Sequence, residues 1–252
     1  MNILVIIEHK NGVMHRMSKE AIAGAQKIGG NITALVIGEN SDPVVDELSS
    51  FQIQKTLLVT DQKVTSYNVD GYKEIILQVV KVVNPEFIIT GHTYQARDFM
   101  PRLSASLDIP FIPDLVSVEN SSYIKQIMNS KLNASISSSN GPVLISFQSA
   151  SFSEENISKG SSPLEKFEVT LDASNIRSTV DEPFQESASE VDLESAELIV
   201  SVGRGIEKEE NTSIAFDLAQ VLGAEVSASR PVVDAGWLPS SRQVGSSGST
   251  VS

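Results

Sequence analysis

The sequence predicts an α/β protein: a right-handed parallel sheet with helices on both faces, followed by the beginning of a second βαβ unit. Three observations carry this. Short, continuous, β-branched runs such as Ile3–Ile7 suit strands buried on both faces. These runs alternate with stretches whose apolar residues recur at helical spacing. The alternation stops in an acidic, aperiodic stretch between Arg177 and Glu197 and then restarts, which sets the expected boundary between an N-terminal α/β domain over residues 1–185 and a partial C-terminal domain over 186–252.

The elements follow in order. Ile3–Ile7 is the first strand. Arg16 to Ile28 repeats Ala21, Ile22, Ala25 and Ile28 on one helical face, and Gly29-Gly30 stops it. Ile32–Ile37 restores a buried strand. "DPVVDELSSF" reads as a short helix capped by Asp42 with Pro43 in its first position, and Thr56–Val59 as a third strand. Asp70–Val83 is a helix with Ile75, Ile76, Val79 and Val83 inward, and "FIITG" a fourth strand. In "GHTYQARDFMPRLSASLDIP" a proline fits only a first helical turn, so that helix is expected to begin near Asp98 and to bury Leu103 and Leu107. From Phe111 to Thr170 the apolar pieces "LVSV", "YIKQIM", "PVLISF" and "FEVTL" lie between Ser/Asn/Gly turns, and are expected as small mixed strands closing the sheet's edge. "SISSSN" reads as a loop. After the boundary, "ELIVSVGRG" is a strand running into a glycine turn, "ENTSIAFDLAQVLG" a helix with Ala215, Leu218, Ala219 and Leu222 on one face, and "AEVSASR" a second strand.

Composition narrows the function. The 252 residues are 40% hydrophobic and 20% charged, with a formal net charge of -13. Such an acidic chain is a poor partner for nucleic acid, whose phosphates need clustered Lys and Arg. With no cysteine, disulfides, thiolate catalysis and thiolate-ligated metal are excluded. The apolar run at the N-terminus is too short for a signal peptide or a membrane span, so a cytoplasmic setting without membrane insertion is expected. His9, His15 and His92 are too scattered for a metal site, Glu8-His9 reads as a structural pair at a strand end, and no Ser/His/Asp or paired-carboxylate arrangement supports a catalytic centre.

The residues that suggest binding lie near the C-terminus. Gly203-Arg204-Gly205 follows a strand and precedes a helix, so its N–H groups can approach a phosphate. The third position of the dinucleotide fingerprint is Lys208 rather than Gly, and a plain tight turn is the competing reading. Arg204 and Arg230 each lie just past the carboxyl end of a predicted strand, where ligands of open α/β sheets bind; solvated surface arginines are the alternative. Gln243 to Gly248, "QVGSSG", presents backbone amides and two hydroxyls, while Trp237 reads as a packing residue.

In order and spacing, "VGRG" followed by "SASRPVVDAGWLPSSRQVGSSGSTV" resembles the flavin-domain signature of electron-transfer flavoprotein α subunits. "ILVIIEH", "GGNITALVIG" and "RDFMPRLSASLDIPFIPDLVSV" are similar to the family's N-terminal domain, so the resemblance covers nearly the whole chain. It implies a nucleotide-α-hydrolase-like N-terminal domain, a Rossmann-like FAD-binding domain, and a heterodimer with a β subunit. That heterodimer carries electrons from acyl-CoA or related dehydrogenases to a quinone oxidoreductase and is not itself a substrate-converting enzyme. It also implies FAD contacts from Arg204, from Ser229 and Arg230 beside the isoalloxazine, and from Gln243, Val244, Gly245, Ser246 and Ser247 along the flavin's polar edge, with the Ser247 hydroxyl facing N5. A one-electron carrier must stabilise negative charge on its flavin, and a fixed cation about 4 Å away at an effective dielectric near 20 contributes on the order of 4 kcal/mol before desolvation. The family signature continues into a further motif with a flavin-contacting His and into Asn and Asp positions for pyrophosphate and adenosine. None follows Ser252, and the expectation is a chain ending inside its FAD-binding domain.

Two other readings compete. One is an ATP-cleaving enzyme of the adenine-nucleotide α-hydrolase type, suggested by the N-terminal βαβ repeat; its Ser-Gly-Gly-x-Asp-Ser loop should follow the first strand, where this chain has "EHKNGV". The other is an N-terminal domain that only binds the β subunit.

Overall fold

The computed structural model describes residues 1–119, 122–138, 141–180, 193, 196–245, 248–249 and 251. The chain divides into two compact units, Met1–Asp181 and Glu182–Ser252. Most of the acidic stretch expected to hold the domain boundary lies outside the described residues.

The first unit runs β1 (Asn2–Ile7), a small hairpin of β2 (His9–Lys10) and β3 (Val13–Met14), α1 (Arg16–Ile28), β4 (Asn31–Ile37), α2 (Asp42–Ser49), β5 (Lys55–Val59), α3 (Val69–Val83), β6 (Phe87–Gly91) and α4 (Tyr94–Leu107). It continues through β7 (Phe111–Glu119), β8 (Ser122–Ile127), β9 (Leu132–Ile136), β10 (Val143–Phe147) and β11 (Leu164–Lys166). Among the described residues nine of these strands form one sheet, in the order β11-β5-β4-β1-β6-β10-β7-β8-β9. The pairs from β11 through β7 are parallel, and β7, β8 and β9 are antiparallel.

The alternation of β1 explains why the sheet is covered twice. Ile3, Val5 and Ile7 lie in one apolar layer with Ala21, Ile22 and Ala25 of α1 and Val44 and Leu48 of α2. Leu4 and Ile6 point the other way, into a layer with Ile75, Ile76 and Val79 of α3 and Phe99, Met100 and Leu103 of α4. Gly91 and Gly24 mark where this packing is closest: a Cβ at Gly91 would stand 2.5 Å from Met17 Cβ, and one at Gly24 would overlap the Phe147 ring.

Several expectations need correction. Helix α4 starts at Tyr94, not near Asp98, and Pro101 lies inside it. Thr93 accepts from the Ala96 amide and fixes the start, while Pro101 and Arg97, whose carbonyl the proline cannot pair, are both on the exposed face where water substitutes. The cap of α2 is Ser41, with Asp42 already helical. Strand β10 does not close an edge: it inserts between β6 and β7 and is buried throughout, so "PVLISF" is a core strand. In "FEVTL" the pairing strand is the preceding Leu164–Lys166, and β9 forms from residues overlapping the expected loop.

His9 lies against the end of β4, with Nε2 3.0 Å from the Ile37 carbonyl and 3.3 Å from Ser41 Oγ, while its Nδ1 is buried without a partner. The carbonyl requires a proton on Nε2, so adding a second proton would place an N–H at Nδ1 with nothing to accept it. Burial accordingly lowers the pKa of His9, and that of His92 as well. A histidine whose folded pKa is lowered contributes stability that is complete above its unfolded value near 6.5 and is lost as pH falls through the folded value. Thermal melts between pH 7.5 and 5 should therefore show a declining Tm, at roughly 2–4 °C per kcal/mol. His9→Gln, which keeps a donor for Ile37, should flatten the decline; an unaltered slope would remove His9 from this account.

Candidate functional site

The second unit contains β12 (Ile199–Val202), α5 (Thr212–Leu222), β13 (Glu225–Ala228) and the short helix α6 (Arg230–Asp234). β12 and β13 pair in parallel from Ile199↔Glu225 to Val202↔Ala228, with Ser201 Oγ and Ser227 Oγ 2.7 Å apart between them. Helix α5 covers this pair through Thr212, Ala215 and Ala219, small residues that let it approach closely. Leu218 and Leu222, expected on the inward face, are about half exposed. Val202, Val226, Ala228, Val232 and Leu238 complete the apolar cluster, with Trp237 packed against it.

Three segments meet at the carboxyl ends of these strands. Past β12 the chain enters a single 3-10 turn, Arg204–Ile206, closed by the Ile206 amide on the Gly203 carbonyl at 3.0 Å. A second 3-10 turn, Glu209–Asn211, intervenes before α5, so the glycine turn does not run straight into a helix N-terminus as expected. Past β13, Ser229 caps α6 in extended backbone, and its amide donates to the Val202 carbonyl at 2.9 Å, tying the two strand ends together. The third segment arrives from the C-terminal side, where the Val244 amide donates to the Ala228 carbonyl at 2.9 Å and Gln243 bridges Ala228 in parallel.

Backbone bonds hold the described residues of the loop beyond Gln243. The Ser249 amide donates to the Gln243 carbonyl at 2.8 Å, the Gly248 amide to Gly245 at 3.0 Å, and the Gly245 amide to Ser249 at 3.2 Å. Gly245 has a φ of +111°, which L side chains avoid, and a Cβ on Gly248 would collide with the Gln243 carbonyl. At Gly203, Gly205 and Gly245 a Cβ would meet nothing within 4 Å, so these glycines leave the surface around the three segments open.

Of the residues expected to bind, Arg204, Ser229, Arg230, Gln243, Val244 and Gly245 are brought to this one end of the β12–β13 pair, and Ser246 and Ser247 lie outside the described residues. Arg230 is 66% exposed and shares its charge with Asp234, Nε to Oδ2 3.4 Å, one helical turn on. The sequence reading missed that pairing, although the i, i+4 spacing signals it. It also missed Arg242, whose Nη1 donates to the Val226 carbonyl at 2.8 Å, lies 3.6 Å from Glu225, and whose guanidinium stacks 5.4 Å from the Phe216 ring centroid. Arg242 thus fastens the third segment to β13 and α5. Arg242→Ala should destabilise the second unit by about 1–2 kcal/mol, the worth of a charge-assisted bond plus a cation–π contact, while leaving the first unit's melting unchanged. Domain-resolved hydrogen exchange reads both.

The first unit has its own strand-end crevice, between β1 and β6, where the connections diverge. Glu8 stands there: its carboxylate accepts from the Thr93 hydroxyl, and its amide donates to Ser18 Oγ at 2.8 Å. Glu8 and His9 make their hydrogen bonds to different neighbours, Thr93 and Ile37, while the Glu8 charge favours the protonated form of His9. A carboxylate at that position repels the phosphates a nucleotide-cleaving enzyme would bind there. Among the described residues no group of three His, Cys, Asp or Glu is placed to hold a metal ion, and no helix is long and apolar enough to cross a membrane.

Comparison with known proteins identifies the family. Residues 3–172 match the family model of the electron transfer flavoprotein domain, and residues 192–252 that of the electron transfer flavoprotein FAD-binding domain. The chain is similar to the electron transfer flavoprotein subunit alpha of Bacillus subtilis, 30% identical over 257 residues that cover 99% of this chain and 78% of that protein. The same subunit of Pseudomonas aeruginosa is 30% identical over 100% of this chain and 81% of its own length. A probable mitochondrial α subunit of Caenorhabditis elegans is 29% identical over 98% and 75%. The two matched regions share one chain in the order of the two compact units, and the relatives align across both, so the chain belongs to the electron transfer flavoprotein α-subunit family and has the electron-carrying role of a flavoprotein in place of an enzyme's turnover.

Proposed function

We propose that this chain carries one FAD at the ends of β12 and β13, in a heterodimer with an electron-transfer flavoprotein β subunit, and relays electrons from acyl-CoA or related dehydrogenases to a quinone oxidoreductase. The observation that carries the reading is the meeting of Arg204, Ser229–Arg230 and Gln243–Gly245 at one strand-end surface within the region matched by the FAD-binding family model. The donor set suits the cofactor. Two guanidinium groups complement a pyrophosphate or an electron-rich ring, and the open glycines admit a flat ligand close to backbone.

When bound, FAD supplies the redox chemistry, taking up and releasing electrons. The chain's own residues do the rest. Arg230 holds positive charge at the ring's side of the site and Asp234 tempers it. The turn at Gly203–Ile206 and the loop at Gln243–Ser249 present backbone to the ligand, and Ser246 and Ser247 are assigned its polar edge. Arg242 keeps the third segment in place. The setting is cytoplasmic, a reading supported by the bacterial relatives.

The test is anaerobic: the chain copurified with its β subunit is mixed with an acyl-CoA dehydrogenase and acyl-CoA. Bleaching of the flavin absorbance that requires both dehydrogenase and substrate is expected. Bound flavin that no acyl-CoA-type dehydrogenase can reduce would overturn the donor assignment.

A further inference from the structure

The last described stretch of the first unit, residues 159–180, is a strap laid across β5 and α3. The Gly160 amide donates to Ser50 at 2.9 Å and the Ser162 amide to Ser49 at 3.1 Å. Strand β11 pairs with β5, and the Phe167 amide donates to Leu58 at 2.9 Å. Gln78 and Thr170 exchange two bonds, side-chain amide to carbonyl at 3.0 Å and backbone amide to Oε1 at 3.1 Å. Leu171 is buried, and Lys63 Nζ holds its carbonyl at 2.7 Å.

The far end is fastened differently. Asp70 is 4% exposed, and Arg177, 71% exposed, supplies three donors to it: its amide at 3.2 Å, Nε at 3.3 Å and Nη2 at 3.0 Å. Two residues away Asn68, also buried, divides its amide group between two tasks. Its Oδ1 caps α3 by accepting from the Asp70 and Gly71 amides, both at 3.1 Å, while its Nδ2 donates to Ser178 carbonyl at 2.8 Å and Ser178 Oγ at 3.1 Å. Here two buried polar side chains bind two exposed residues. Burying a carboxylate is costly unless donors surround it, so closing the end of the strap satisfies groups that would otherwise be stranded, and it does so at one register only. Apolar burial alone, through Phe167, Leu171 and Ile176, would hold the strap without specifying where it ends.

We propose that Asn68 and Asp70 are positioning residues that fix the point at which the chain leaves the first unit, at Arg177–Ser178, just ahead of the second unit that begins at Glu182. With the clasp closed, the tether to the second unit starts at Ser178. With it open, the next anchors are the half-buried Ile176 side chain and then Leu171 and Thr170, and the chain is released from Arg177 onward. This inference is independent of which ligand the second unit holds.

The chain's lack of cysteine makes the test direct, because introduced cysteines are the only labelling sites. Spin-label distances are measured in the full chain for the pair Lys81→Cys with Thr179→Cys. They are compared with the same pair carrying Asn68→Asp or Arg177→Ala. Asn68→Asp keeps an acceptor for the helix cap and replaces the donors to Ser178 with a carboxylate that also adds negative charge beside Asp70; Arg177→Ala reads the clasp without touching the cap or adding charge. Both variants should broaden the 81–179 distribution. Amide exchange over residues 172–180 should accelerate by about tenfold or more, with α3 amides protected as in the parent. An unchanged 81–179 distribution in both variants overturns the proposal, as does a loss of Tm without broadening.

Discussion

Arg230→Ala is expected to lower the first-electron potential of the bound flavin by roughly 60 mV, equivalent to about 1.4 kcal/mol of lost electrostatic stabilisation in a one-electron couple. An unscreened cation at contact distance would supply about 4 kcal/mol at an effective dielectric near 20. Two observations reduce it here. Arg230 is largely exposed, so solvent screens it, and Asp234 lies 3.4 Å from its Nε. The pair gives the account a second, opposite arm: Asp234→Asn leaves Arg230 unopposed and should raise the potential, and Arg230→Ala should have a larger effect in that background than in the parent. Lysine at position 230 should restore part of the loss, since it keeps the charge without the planar fork. Spectroelectrochemistry of the flavin-loaded heterodimer measures all four. A potential that does not move in the alanine variant would show that Arg230 does not serve the flavin.

Gly248→Ala should weaken FAD binding by tenfold or more, a cost of about 1–3 kcal/mol typical of forcing a methyl group into a filled space. The methyl would meet the Gln243 carbonyl, which already accepts from the Ser249 amide. Relieving that contact by breaking the Gln243–Ser249 bond or by swinging the third segment off the Ala228 carbonyl disperses the site. Gly203→Ala is the matched control, because a methyl there meets nothing within 4 Å in the protein and its backbone φ of -105° suits any residue. If Gly203→Ala weakens binding as well, the added methyl reports on the ligand's own position. If Gly248→Ala binds FAD as tightly as the parent, the loop is not part of the site.

Most of the first unit was legible because its strands are buried on both faces. Ile3–Ile7 and Ile32–Ile37 cannot be placed on a half-solvated sheet, and the helices between them show clean periodicity, so the expected limits of α1, Arg16 and Ile28, agree with those observed. The misses lie where local chemistry was overridden from a distance. Pro101 argues for a helix start, but the Thr93 cap and the burial of Ala96, Phe99 and Met100 outweigh a single lost bond on a wet face. β10 looked peripheral because it follows a run of turn residues; its apolar sequence, broken only by Ser146, was the better guide. In α5 all but the Ser213–Asp217–Gln220 stripe is apolar, and periodicity alone could not rank the small Ala215 and Ala219 above Leu218 and Leu222.

The candidate site was legible as a set of residue types at recognisable spacing, and the structure adds how they meet. Backbone bonds from Ser229 to Val202 and from Val244 to Ala228 draw three distant segments to one strand end, and no pattern of side chains encodes those bonds. Arg242 escaped notice because it acts through a carbonyl of β13, a partner that carries no sequence signal.

The most direct measurement is amide hydrogen exchange of the chain bound to its β subunit, compared with and without FAD. The account predicts that FAD slows exchange at 203–206, 229–230 and 243–249, and leaves the crevice around Glu8, His92 and Thr93 as it was. Protection at that crevice with none at the ends of β12 and β13 would place the cofactor in the first unit and contradict the site described here.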